Sequence, residues 1–171
     1  MAELHDNEYA SFYKIYVDRA FKNGIGILKN LEDSYNDAFT VFENLPEEKH
    51  EYRYAPDKWT IKELLQHLID TERVFAYRAL RFSRNDTADL QGFDQTLFAA
   101  NCDANIRPFD ELLDEFSLVR RSTIILFRSF SEDMLLRCGT INNNTVSVRA
   151  KGYIISGHLL HHLDVIKERY L

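Results

Sequence analysis

Few residues that staple, break or loosen a chain are present: two cysteines, three prolines and six glycines in 171 residues. Cys102 and Cys138 lie far apart and outside any Cys-x-x-Cys pair. That excludes a disulfide framework and a thiolate-rich zinc site, and leaves two ordinary cytosolic thiols. No apolar run approaches the roughly 20 residues needed to span a bilayer. The segment Met1–Asp6 lacks the basic-then-apolar order of a signal peptide, so a cytoplasmic protein without membrane attachment is expected. Basic runs are also missing, and the formal net charge is -6. A phosphate backbone would find no positive stripe, which argues against nucleic acid as a partner. The glycines form no nucleotide motif: Gly24-Ile25-Gly26 follows no strand and lacks a third glycine. Ser156-Gly157 belongs to no Gly-x-Ser-x-Gly elbow.

What the chain does hold is ordinary globular composition, 45% hydrophobic and 28% charged, with twelve Phe and nine Tyr to furnish an aromatic core. One domain over residues 1–171 is expected. Pro46, Pro56 and Pro108 all fall between stretches of helical periodicity and mark boundaries. Residues 6–45 read as mostly helical with a break near Gly24 and Gly26, and a polar, aromatic loop follows from Glu47 to Trp59. Thr60 with Glu63 forms a capping-box pattern opening a helix to about Arg84. A short helix over Asp94–Asp103, a long one over Phe109–Phe130 and a brief one capped by Ser131 come next. The three asparagines after Gly139 make Cys138–Thr145 a loop by turn chemistry, with Val146 and Val148 offering at most a short extended piece. A last helix runs from about Val148 to Tyr170. Four long helices without convincing alternating strands predict an all-α four-helix bundle with additional short helices.

The histidines carry the chemical signal. Side chains four apart on a helix lie about 40° from each other, so His158 and His162 point the same way. Ile154, Ile155, Val165 and Ile166 fall within roughly 80° of His158, which puts both imidazoles in the middle of the apolar face. A pair at this spacing alone suits a structural core as well as a ligand pair. Buried neutral imidazoles need partners, however, since an unsatisfied buried polar group costs about 1–3 kcal/mol. His67 supplies a third from the helix opened by Thr60, on a broad polar face shared with Glu63, Asp70, Thr71 and Arg78. His161 lies about 60° from His158, at the edge of the face. Three nitrogen ligands with an open position fit a reactive rather than a sealed site. They suit zinc or nickel, with iron or copper as alternatives, better than calcium or magnesium.

At these residues the sequence resembles the DinB-like superfamily, which includes the YfiT-type metal-dependent hydrolases and bacterial low-molecular-weight-thiol transferases. The resemblance rests on Lys58-Trp59-Thr60-Ile61-Lys62-Glu63-Leu64-Leu65-Gln66-His67, on Asp70, Glu72 and Arg73, and on the closing Gly157-His158-Leu159-Leu160-His161-His162. It implies a four-helix bundle that often dimerises, with His67, His158 and His162 as the metal triad. His161 fills an extra histidine position without being a ligand.

Two reaction classes follow for a small-molecule substrate: metal-assisted hydrolysis, or transfer of a small thiol bound as thiolate. Asp70 is the nearest candidate base, although a bond that orients His67 or a solvated carboxylate accounts for it more simply. Arg78 could anchor an acidic substrate, or form an ordinary salt bridge. Trp59, Tyr52 and Tyr54 pack over the bundle end or cover a mouth of the site. The Glu of His-Glu-x-x-His is missing between His158 and His162. The alternative to an enzyme is a metal-binding or ligand-sensing stress-response protein without turnover.

Overall fold

Helix boundaries here follow the side chains able to close them. In the computed structural model, which describes residues 4–21 and 24–171, Thr60 Oγ1 accepts from the Glu63 amide at 3.1 Å and the Glu63 carboxylate accepts from the Thr60 amide at 2.7 Å. This reciprocal cap opens α3 (Ile61–Ser83) where the sequence places it. Asp94 caps α4 (Gln95–Ala100), Pro108 precedes α5 (Phe109–Arg128) and Ser131 caps α6 (Glu132–Leu136). Upstream lie α1 (Lys14–Ala20) and α2 (Ile27–Glu43), divided at the expected glycines, with Gly24 at φ +61. Residues 1–3 of the N-terminus and 22–23 of that break lie outside the described residues. The chain closes with α7 (Val148–Arg169).

The expected loop over Cys138–Thr145 is corrected. Strands β2 (Cys138–Ile141) and β3 (Asn144–Ser147) pair antiparallel around Asn142 and Asn143, whose φ values of 48° and 60° are those of a tight hairpin turn. Asparagine tolerates the left-handed region better than other side chains with a Cβ, so the Asn run is itself the turn. A two-residue strand, β1 (Asp89–Leu90), adds parallel to β2. Ser147 ends β3 and caps α7 by accepting from the Ala150 amide at 3.0 Å, so Val148 starts the helix rather than a strand.

Four helices build the bundle. Around it, α2 packs on α7 and α5, and α3 packs on the same two, so α2 and α3 sit diagonally although consecutive in the bundle. α1 lies along α7. It comes so close that a Cβ on Gly157 would stand 1.8 Å from the Tyr16 carbonyl oxygen. At one end, Leu31, Phe82, Val146 and Ile154 anchor a buried apolar cluster; at the other, Leu65, Leu112, Phe116 and Ile166 anchor a second. α3 runs through both and carries two buried polar strips of opposite character. Towards α5, Glu72 takes the Arg120 guanidinium with contacts of 2.8, 3.1 and 2.8 Å, and Arg120 also donates to the Leu31 carbonyl and Ser34 hydroxyl of α2. About 140° away round the helix, His67 faces α7.

Candidate metal centre

His67 on α3 and His158 and His162 on α7 converge. Nε2 of His158 lies 3.2 Å from Nε2 of His67 and 3.2 Å from Nε2 of His162, and the three ligand atoms all fall within 4.8 Å of one another. Two nitrogens bound tetrahedrally at about 2.0–2.1 Å from one ion stand about 3.3 Å apart. The spacing and the all-nitrogen donor set therefore fit a divalent transition metal.

Their protonation state suits the same role. Burial lowers His67 from the usual 6.5 to about 4. Burial, then the neighbouring His67 and His161, lowers His162 to about 3. His158, the deepest, is driven well below the ordinary value by burial and then by the surrounding histidines. All three are neutral at pH 7, with lone pairs available. Thr71 Oγ1 stands 3.4 Å from the other ring nitrogen of His67, and the Trp59 ring packs at 4.6 Å on the imidazole's side. Trp59 thus packs against the His67 ring, while Tyr52 and Tyr54 pack edge-on against Tyr170 at the bundle end. Tyr16 meets the His158 and His161 rings at 5.3 and 5.6 Å; the missing Cβ at Gly157 permits that approach. His161 stays half-buried outside the cluster.

A cavity of about 450 Å³ reaches the site, with His158, Thr71, Tyr16, Phe75 and Arg78 in its wall. Arg78, the candidate anchor, lines the same cavity as His158. Asp70 has another neighbourhood. Its carboxylate accepts from Gln66 Nε2 at 2.9 Å and lines a separate hollow with Leu97, Phe98 and Cys102, where burial raises its pKa. The contact to the His67 ring falls to Thr71 instead. Sequence reasoning also missed Lys151 and Tyr13. Lys151 is wholly buried, donates to the Tyr13 hydroxyl at 3.2 Å and sits 4.3 Å from the ring centres of Tyr13 and Phe75. A signal for it existed: seven residues before His158, it falls within about 20° of the same helix face.

Among the described residues no helix is long and apolar enough to cross a membrane. The family model of the DinB superfamily matches residues 30–166. No curated protein matches the chain by sequence. Among solved structures, YfiT from Bacillus subtilis superposes with a TM-score of 0.75 at 13% identity, covering 98% of this chain and 90% of that one. YfiT is described as a probable metal-dependent hydrolase with an unusual four-helix bundle topology.

Proposed function

The chain belongs to the DinB superfamily, and from that premise we propose that it is a metal-dependent enzyme acting on a small molecule, with one divalent ion held by His67, His158 and His162. The observation that carries this reading is the convergence of three neutral imidazoles, His67 and His158 buried and His162 half-buried, beside a cavity that His158 lines. Bound there, the ion would supply Lewis acidity to a small molecule at the cavity end of the site. Thr71 and Trp59 hold the His67 ring, and Tyr16 packs the His158 ring in place. Burial raises the phenol pKa of Tyr13 and Tyr16, so both remain hydrogen-bond donors at neutral pH. A non-catalytic metal-binding or sensing role would be better served by an ion sealed from any cavity.

Hydrolysis is the reaction suggested by the likeness to YfiT. Transfer of a low-molecular-weight thiol is the second reading, and one observation favours it. Among the described residues lining the cavity there is no carboxylate, so a carboxylate general base is missing, whereas a small thiol brings its own nucleophile. Metal analysis of the purified protein should find about one zinc or nickel per chain, consistent with a single three-nitrogen site. His67→Ala, His158→Ala and His162→Ala should each lose it. Wild-type protein that retains no ion after reconstitution with zinc or nickel would sink the proposal. Esters and amides, set beside small thiols paired with electrophiles, then separate the two reactions on the metal-loaded protein.

A further inference from the structure

Four cationic side chains are buried among the described residues: Lys62, Arg78, Arg120 and Lys151. Two have carboxylate partners. Lys62 pairs with Glu51 at 2.8 Å and Arg120 with Glu72 at 2.8 Å. Arg78 and Lys151, 4% and 0% exposed, form no ion pair with any described carboxylate. Arg78 donates to the Gln91 carbonyl at 2.7 Å and lies 5.7 Å from the Phe93 ring centre; Lys151 has the Tyr13 hydroxyl and two aromatic faces. An unpaired buried charge is among the costliest features a fold carries, and this fold pairs its other two.

Arg78 and Lys151 approach each other across the α3–α7 seam, closely enough for the Arg78 charge to depress the Lys151 amine further. The Arg78 guanidinium and the Tyr13 ring line the cavity that reaches His158. A guanidinium fork is shaped for the two oxygens of a carboxylate or phosphate.

We propose that Arg78, assisted by Lys151 through the Tyr13 hydroxyl, is the anion-recognising end of this cavity, so that the small molecule presented to the histidines carries an oxyanion. This rests on reading the cavity as the site of a small-molecule reaction. Seven residues of helix separate Lys151 from His158, roughly 10 Å along the axis, so the anion-recognising groups and the histidine cluster occupy different parts of the α3–α7 seam. The oxyanion supplies the countercharge that no described carboxylate supplies to Arg78.

Calorimetric titration of the zinc-loaded full chain with glutarate, inorganic phosphate and neutral glutaramide tests this, using wild type, Arg78→Met and Lys151→Met. At least one anion is expected to bind wild type tenfold or more tightly than glutaramide. That affinity should fall at least tenfold in Arg78→Met and severalfold in Lys151→Met, with metal content unchanged. Preference for glutarate assigns a carboxylate; preference for phosphate assigns a phosphate. The proposal is overturned if neither anion outbinds glutaramide in wild type, a comparison that needs no variant to fold. It is equally overturned if anion binding survives Arg78→Met intact, since the anion then sits elsewhere, the histidine cluster included. His158→Ala separates this proposal from the metal reading: anion binding that persists in it upholds the Arg78 site even where no metal is held.

Discussion

The two polar strips of α3 solve the same problem in opposite ways. Towards α5 and α2, Glu72 and Arg120 satisfy each other, and the remaining guanidinium donors find Ser34 and the Leu31 carbonyl. Towards α7, the histidines meet nitrogen to nitrogen, and Arg78 and Lys151 face each other with no carboxylate among the described residues paired to either. The first strip is complete within the chain. The second brings together donors and lone pairs that the chain itself does not match, beside a cavity. Buried polarity is therefore a sign of function only where its partners are missing.

The sharpest way to break that comparison is to remove one charge from each strip. Arg120→Met leaves Glu72 buried and unpaired and should cost about 3–5 kcal/mol, read from the denaturant midpoint. Arg78→Met strands no carboxylate and should stay within about 1 kcal/mol of wild type. Equal losses would mean that the strips do not differ. Acid should strike the second strip next. His67 titrates at about 4 when folded against 6.5 ordinarily, so the unfolded chain binds a proton that the folded one refuses. Stability of the metal-free protein should therefore fall as pH drops from about 6.5 to about 4, by roughly 3 kcal/mol from this ring. The same pH series on His67→Asn isolates that share; an unchanged slope would contradict it.

Lys151→Met should act in the other direction. Burial holds the Lys151 amine well below its ordinary pKa, so the unfolded state gains more from its protonation than the folded state does. Removing the amine should stabilise the protein by about 1–2 kcal/mol, a rise of several degrees in Tm. A fall would show that Lys151 is held by more than Tyr13 and two rings. Thr60→Ala, which loosens the start of α3 without touching either strip, should cost about 1 kcal/mol. It provides the control: thermal scans should show lost stability with metal content intact.

Much of this arrangement is legible in the sequence, and the exceptions have physical reasons. Thr60 and Glu63 announce α3, and the four-residue spacing of His158 and His162 fixes their common direction, because both signals are local. His67 joins them through its place on the polar face of α3. The hairpin escaped because its strands are four residues long and the Asn142–Asn143 turn reads equally well as a loop; β1, two residues long, comes from a distant part of the chain. The assignment of Asp70 rested on a face drawn too broadly. Asp70 and Thr71 lie about 60° and 40° to opposite sides of His67, and only Thr71 turns towards the His67 ring. Lys151 was hidden by the rule that lysines lie outside, which holds until a helix is buried on most of its circumference, as α7 is.

The diagonal placement of α2 and α3 also governs how the molecule comes into being. Of the four seams in the bundle only α3–α5 joins helices that follow one another within it, so no early helical hairpin between α2 and α3 can template the rest. His67 and His158 are 91 positions apart, and bringing such ends together carries a loop-closure entropy of about 4 kcal/mol plus a constant. Folding should accordingly be slower than in an up-and-down bundle of equal length, which stopped-flow refolding can measure. During synthesis, a chain that has not reached α7 owns one histidine of three and lacks the helix that buries it, so the centre forms only once the whole bundle has closed.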